Sequence, residues 1–425
     1  GEPVYLLLMV AVAGANWAFG RLLGKRPERK FLALAVIFNL LCLGVFKYTG
    51  FVLENVYALA HIERAAPQIA LPIGISFYTF QAMSYVIDVY RGQVGVQRSF
   101  AKFLLYVSLF PQLIAGPIVR YSDVEKEIEA RKSTPKGCFY GMTRFCMGLA
   151  KKVLLADYAG KAAAQLLDGN LAAQSTLGVW FGVLLYTFEI YFDFSGYSDM
   201  AIGMASMFGF HFQENFKHPY SADSIHEFWR RWHISLSSWF KEYVYIPLGG
   251  NRKGKLRTEC NKLLVFLLTG IWHGANWTFV IWGMIHGIMN VLEDTVLPIR
   301  KCRFKWIGNL YTWIIAITAF VMFRADTAAY GWRMIRTMFT GLRFDLVSRS
   351  FLMEQLDGYT VVLIAGGILF SYPVTAKLLK CTGSLRDRYA AVWEVLKYLG
   401  VLVLLFLCVC SLAGAAYNPF IYFRF

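Results

Sequence analysis

Thr269-Gly-Ile-Trp-His-Gly-Ala-Asn-Trp-Thr-Phe-Val-Ile-Trp-Gly-Met-Ile-His-Gly287 is the stretch whose reading decides the fold. It sits inside a longer apolar run over 262–292, enough to cross a bilayer, which takes roughly 20 mostly apolar residues. His273 lies about half way along that run, flanked by Gly270 and Gly274. An ionisable side chain at membrane depth is costly and marks a functional candidate. Imidazole is also the side chain best suited to proton transfer near neutral pH. The flanking glycines would let a substrate approach the backbone. The competing reading is a histidine hydrogen-bonded within a helix bundle, which suits His286 better because it has no polar company.

Outward from this run, the apolar segments 4–20, 31–49, 71–89, 177–195, 307–323, 361–376 and 395–416 read as simple spanning helices. The segments 101–119, 138–158, 197–210 and 262–292 are less regular and carry internal residues such as Pro111, Gly116, Pro117, Asp199 and His273. Broken segments survive at membrane depth only where protein or a water-filled cavity surrounds them. The expected fold is therefore all-α: a polytopic membrane protein forming one domain over 1–425, with a cavity-lining middle. No linker, low-complexity tract or repeat divides the chain.

Composition agrees. Of 425 residues, 57% are hydrophobic and 16% charged, against roughly 25% charged in soluble domains. That balance excludes a disordered chain, a nucleic-acid-binding module and a disulfide scaffold. The eight cysteines form no CxxC pair and no Cys/His metal spacing, so no metal site is expected. The net charge is 43 − 27 = +16, which implies basic cytoplasmic loops in contact with anionic lipid heads. By that rule 21–30 and 211–262, the latter with nine Lys and Arg, lie inside. Arg300 to Lys305 and the group Lys377, Lys380, Arg386 and Arg388 lie inside too, and the C-terminal tail lies outside. The stretch 324–359 falls outside by span count despite five arginines. The run Val4–Phe19 is no cleavable signal, since Arg21 follows it. A chain beginning at Gly1 is expected to lack some upstream sequence.

Ser224-Ile-His-Glu-Phe-Trp-Arg-Arg-Trp-His-Ile-Ser-Leu-Ser-Ser-Trp-Phe-Lys-Glu-Tyr-Val-Tyr-Ile-Pro-Leu-Gly-Gly-Asn-Arg252 is too charged to span. As one helix it places His226, Arg230, His233, Ser237 and Lys241 on one face. Trp229, Trp232, Leu236, Trp239 and Phe240 take the other. That pattern predicts an interfacial amphipathic helix with an aromatic face in the headgroup region. A surface anchor would explain the pattern but not His233, on the side that would meet a cytoplasmic ligand. In 187–203, Glu189, Asp193 and Asp199 are carboxylates in apolar surroundings, able to pair with a base, orient an imidazole or line a polar path. Residues 71–91 and 109–120 read as packing elements. From the residues alone an enzyme working across the bilayer and a proton-coupled transporter both remain open.

Longer motifs sharpen this. Phe228-Trp-Arg-Arg-Trp-His-Ile-Ser-Leu-Ser237, Tyr245-Ile-Pro-Leu-Gly-Gly-Asn-Arg252, Phe192-Asp-Phe-Ser-Gly-Tyr-Ser-Asp-Met-Ala-Ile-Gly203, Trp272-His-Gly-Ala-Asn-Trp-Thr-Phe279, Leu71-Pro-Ile-Gly-Ile-Ser-Phe-Tyr-Thr-Phe-Gln81, Ile114-Ala-Gly-Pro-Ile118 and Phe420-Ile-Tyr-Phe-Arg-Phe425 together resemble the membrane-bound O-acyltransferase (MBOAT) family. They are most similar to its bacterial alginate O-acetyltransferase branch, chiefly over 70–290. The resemblance implies a helical bundle with broken or re-entrant helices around a central tunnel, in a bacterial inner membrane. It implies an O-acyltransferase that takes acetyl from cytosolic acetyl-CoA, with no bound cofactor. The acetyl group would serve a cell-surface polysaccharide, with a separate extracytoplasmic acetyltransferase as partner. Related D-alanyl transferases of the teichoic-acid pathway, with a carrier-protein donor, share the Trp-His motif and are the alternative.

By the same resemblance His273 is the catalytic histidine and His233 the second characteristic one, orienting or binding the donor at the cytoplasmic mouth. Asn276, one helical turn on, would hold the imidazole or an oxyanion. Arg230, Arg231, Lys241, Arg252 and Lys253 would steer the CoA phosphates. Asp193, Ser195, Tyr197, Asp199, Trp232 and Trp272 would line or orient the tunnel. The aromatic tail Phe420–Phe425 is expected to be an interfacial anchor or a docking strand for the partner.

Overall fold

A computed structural model describes residues 3–169, 175–340, 353, 356–374, 382, 388–414 and 419–421. Lys377, Lys380, Cys381, Arg386, much of the uncertain 324–359 stretch and tail residues 422–425 lie outside the described residues. The described regular structure is helical, without a strand. The chain is a multi-pass membrane protein. Among the described residues five helices have the length and apolarity to cross a membrane. They are α1 (Pro3–Lys25), α2 (Arg29–Leu59), α8 (Thr176–Met207), α13 (Lys305–Arg324) and α16 (Ala390–Ala413).

The elements between them are shorter and more deeply packed. α3 (Ile75–Tyr90) has 16 residues and is almost wholly enclosed by protein. The apolar run at 361–376 contributes the 14-residue α15 (Gly358–Ser371). α4 (Phe100–Ser108), α5 (Tyr121–Glu129), α6 (Pro135–Ala150) and α7 (Asp157–Leu167) follow α3. α9 (Ile225–Arg231), α10 (Ile234–Phe240), α11 (Lys255–His273) and α12 (Trp277–Thr295) follow α8, and α14 (Ala328–Phe339) follows α13. Helix starts are fixed by side chains that accept otherwise orphaned N–H groups. Thr134 Oγ1 takes Gly137 N at 3.1 Å, Ser175 Oγ takes Gly178 N at 3.0 Å and Ser224 Oγ takes Glu227 N at 3.1 Å.

α8 is the axis of the molecule. Its 32 residues span about 48 Å, and most of its side chains are buried. α6 crosses it at glycines. A Cβ at Gly148 would stand 2.5 Å from the Gly196 carbonyl oxygen, and one at Gly141 would stand 2.4 Å from that of Gly203. Close backbone approach at small residues drives helix association where lipid removes the hydrophobic incentive. α1 and α2 use the other device available in lipid, a polar pair. The amides of Asn16 and Asn39 exchange hydrogen bonds of 3.0 and 2.7 Å, fully buried.

The segment 224–252 differs from the single amphipathic helix expected of it. It folds as two short helices, α9 and α10, broken at Trp232 and His233, where His233 is left-handed at φ 46°. Trp232, Leu236, Trp239 and Phe240 are buried in protein, not turned to lipid heads. The 3.6-residue period is real within each half. The chain turn at 232–233 exists because distant loops hold it, which no local pattern encodes.

Candidate active site

Two histidines meet in the core. His273 is the last residue of α11, and His233 caps the start of α10. Their ring centroids are 6.4 Å apart, and both rings are almost wholly shielded from solvent. Trp282 stands edge-on to the His273 ring at 4.9 Å, Phe323 at 5.4 Å and Trp272 at 5.1 Å. A small cavity of about 10 Å³, room for about one water, touches His273. Ile190, Phe194, Trp232, Trp282, Phe320, Phe323 and Ile421 line the rest of it.

The position of His233 corrects the expectation that it faces a cytoplasmic mouth: it lies beside His273 in the interior. Its tautomer follows from its neighbours. Asn215 Oδ1 accepts the Ser235 backbone N–H at 3.1 Å and the Ser235 hydroxyl at 2.9 Å, so that atom is oxygen. His233 Nδ1, 3.2 Å away, therefore carries a proton and donates it. Nε2 is left as the acceptor, and it has no hydrogen-bond partner among the described residues. Asn215 also takes Ile234 N on its main-chain carbonyl at 2.9 Å. Ser235 Oγ accepts Ile118 N at 3.0 Å, tying in the 114–118 stretch. Sequence reading missed Asn215, since nothing local distinguishes it from a turn asparagine.

Other assignments move. Asn276 does not reach the imidazole. The chain leaves the helix at Gly274 in extended geometry, and Asn276 caps α12. Its Oδ1 accepts Thr278 N at 3.1 Å and its Nδ2 donates to the Asp326 carbonyl at 2.9 Å. Asp193 and Asp199 do not orient either histidine. Asp199 pairs with Arg144 at 2.8 Å and with Lys151. Asp193 pairs with Lys152 at 2.6 Å and accepts Ile421 N at 2.9 Å. Both are α8 carboxylates neutralised by basic residues of α6 and of the π-helical turn Lys151–Ala156 that follows it. Such pairing is what burial of a charge requires. The Ser195 hydroxyl is buried and without a partner among the described residues. Trp232 stacks on Phe228 at 5.6 Å, and the Trp272 indole packs on Phe77 and Phe80.

The described part of the tail is neither a lipid anchor nor a free strand. Pro419 and Phe420 are half-buried against the protein and Ile421 is buried. Lys152 donates to the Pro419 carbonyl at 3.3 Å, and Tyr197 meets the Phe420 ring edge-on at 4.9 Å. Ile421 forms one wall of the cavity at His273.

A second cavity of about 470 Å³ opens between α9, α10, α11 and α12. Arg230, Lys241 and Lys262 supply its cations, and Trp229, Tyr245 and Phe266 its aromatic walls. His226 lines it as well. Burial, and then the cations Arg300, Arg230 and Lys262, hold His226 below the ordinary histidine range, with Asp294 opposing them. Three of the predicted basic residues are absent from its lining. Arg231 is engaged with Glu227 at 2.8 Å and with the Ser221 hydroxyl at 2.6 Å. Arg252 and Lys253 are exposed in the turn after α10, with the Lys253 methylenes against Gly249.

Residues 93–326 match the family model of the membrane-bound O-acyltransferases. The chain is 37% identical to the probable alginate O-acetylase AlgI of Pseudomonas putida, over 99% of its own length and 90% of that protein's. The chain belongs to the membrane-bound O-acyltransferase family. It is an O-acyltransferase, and its likeness is to the alginate O-acetylase branch. A peptidoglycan O-acetyltransferase from Helicobacter pylori is also 37% identical, over 73% of this chain and 65% of that one. The teichoic acid D-alanyltransferase of Bacillus subtilis is further off, 28% identical over 58% of this chain and 64% of its own. Membership decides for an enzyme between the two classes left open by the residues.

Proposed function

We propose that this O-acyltransferase moves acetyl groups from cytosolic acetyl-CoA to a cell-surface polysaccharide, with His273 as general base. The observation that carries the proposal is the buried pair His233–His273, with the basic, aromatic-walled cavity of about 470 Å³ nearby. His273 takes the proton of an acceptor hydroxyl. The hydroxyl oxygen bonds to the thioester carbonyl carbon, the C–S bond breaks, and the leaving thiolate recovers the proton from the imidazolium. General-base help of this kind contributes about 10²–10⁴-fold. His233, with its acceptor nitrogen bare, orients the acceptor hydroxyl or the donor beside His273. Arg230 and Lys241 receive the CoA phosphates; Arg231, Arg252 and Lys253 act only in long-range attraction. The identities to O-acetylases favour acetyl over D-alanyl as the transferred group. The acceptor is of the class that the relatives' names give, a bacterial envelope polymer. An inner-membrane location and an extracytoplasmic acetyltransferase partner complete this reading.

The test is thioester cleavage by purified protein in detergent. Wild type releases CoA thiol from acetyl-CoA slowly, and His273→Ala, folded by melting curve, releases none above background. Full cleavage by His273→Ala would overturn the catalytic assignment. Cleavage only of a D-alanyl carrier-protein thioester would transfer the reading to the alternative donor.

A further inference from the structure

α11 ends inside the protein at His273, which leaves its last carbonyls in need of donors. The donors come from α2, more than two hundred residues earlier in the chain. Lys47 Nζ donates to the carbonyls of Trp272 and, at 3.2 Å, of His273, and to the Ser76 hydroxyl at 3.2 Å. The same ammonium lies 5.7 Å from the centroid of the Trp272 ring. Tyr48 donates its hydroxyl to the Ile271 carbonyl at 2.9 Å. One helical turn on, Phe51 packs edge-on against Trp277 at 5.7 Å, and a further turn on Asn55 Oδ1 accepts the Trp277 indole N–H at 2.9 Å. Residues 47, 48, 51 and 55 share one face of α2. That face grips both sides of the break at 274–276, the end of α11 and the start of α12.

Lysine is an expensive choice here. It sits well inside a 31-residue spanning helix, where a charge persists only when a function or a partner requires it. A neutral side chain could satisfy one or two carbonyls. The ammonium has three N–H groups, and this structure gives it three acceptors. It also sets a positive charge at the negative end of the α11 dipole.

We propose that Lys47 is a positioning residue for catalysis: by binding the last two carbonyls of α11 and Ser76 at once, it fixes where the His273 imidazole stands. It acts through His273 and rests on His273 being the catalytic base. With all three N–H groups engaged, it is not itself a donor to the substrate. Misplacement of a catalytic group by about 1 Å is worth about 10²-fold in rate, which sets the scale of the effect.

The experiment compares wild type, Lys47→Met, Lys47→Gln, Lys47→Arg and His273→Ala as full-length protein in detergent. It measures kcat and KM for acetyl-CoA cleavage, normalised to folded protein by size exclusion and melting. Lys47→Met is expected to lower kcat about 10²-fold with KM within about twofold, since the donor cavity is untouched. Lys47→Gln, keeping two N–H donors, falls between, and Lys47→Arg, keeping charge and donors, recovers much of the rate. Unchanged kcat per folded molecule in Lys47→Met, or a loss confined to KM, overturns the proposal while leaving the His273 assignment standing. Failure of Lys47→Met, Lys47→Gln and Lys47→Arg alike to fold makes Lys47 a folding residue and also overturns it. Full activity in His273→Ala overturns the underlying catalytic reading, and the role of Lys47 falls with it.

Discussion

Asn215 determines which nitrogen of His233 carries the proton. Its Oδ1 accepts from Ser235 and from His233 Nδ1, so His233 keeps Nε2 as an acceptor, its ring centroid 6.4 Å from that of His273. Replacing Asn215 by Ala leaves the Ser235 N–H and the imidazole N–H buried without acceptor. The expected cost is about 1–3 kcal/mol per orphaned group, visible as a lower melting temperature. The remaining folded enzyme should lose kcat, since His233 is free to change tautomer. Asn215→Asp, which keeps the acceptor oxygen, should recover activity better than Asn215→Ala.

The cationic cavity predicts a division among the basic residues. Arg230→Ala and Lys241→Ala should raise KM for acetyl-CoA severalfold with little change in kcat. The effect should shrink as salt rises, because charge attraction is screened within about 10 Å at 0.1 M. Arg252→Ala and Lys253→Ala should change KM by less than about twofold, the scale of an exposed charge at this ionic strength. Equal effects in all four would show that long-range attraction, not this cavity, recruits the donor.

Ile421 walls the small chamber at His273, and its size bears on acyl length. Ile421→Ala should improve turnover of propionyl-CoA relative to acetyl-CoA, because the removed carbons leave room for added ones. The ratio of kcat/KM values is the measurement. An unchanged ratio would mean that the acyl group does not enter this chamber.

His226 gives a pH signature. Its folded-state value lies below the ordinary one, mainly through burial and then through Arg300. A base depressed on folding binds fewer protons folded than unfolded. Stability is therefore unaffected above the unfolded value, about 6.5, and falls as pH drops below it. His226→Gln should flatten that part of the melting-temperature profile. An identical slope in the variant would remove His226 as its source.

At the α6–α8 crossing, Gly148→Val should prevent the helices from closing, since even a Cβ would meet the Gly196 carbonyl oxygen at 2.5 Å. Overpacking of this kind costs about 1–3 kcal/mol where neighbours can shift. Backbone shifts least, so a loss of monodisperse protein on size exclusion is the expected result. Gly400→Val, on α16 with open space at its Cβ position, is the control and should purify normally.

Much of this was legible in the residues. Apolar runs of spanning length depend only on local composition, so α1, α2, α8, α13 and α16 could be read directly. His273 stood out because ionisable groups are rare in such runs. The same argument applied to Lys47, which sits in the 31–49 run as plainly as His273 sits in 262–292. A single lysine near the end of an apolar segment is usually free to reach the headgroups, so the residues alone do not mark Lys47 out.

The sequence by itself determined the membrane setting, the helical class and the family. Each follows from local hydrophobicity or from contiguous motifs. Only the tertiary structure decided the rest: that His233 is buried beside His273, that Asp193 and Asp199 serve Lys152, Arg144 and Lys151, that Asn276 caps a helix, and that Ile421 reaches the chamber. Apart from the local Asn276 cap, these are contacts between distant parts of the chain. In a protein interior each buried polar atom must find a partner wherever the fold brings one, and periodicity along the chain does not say where that is.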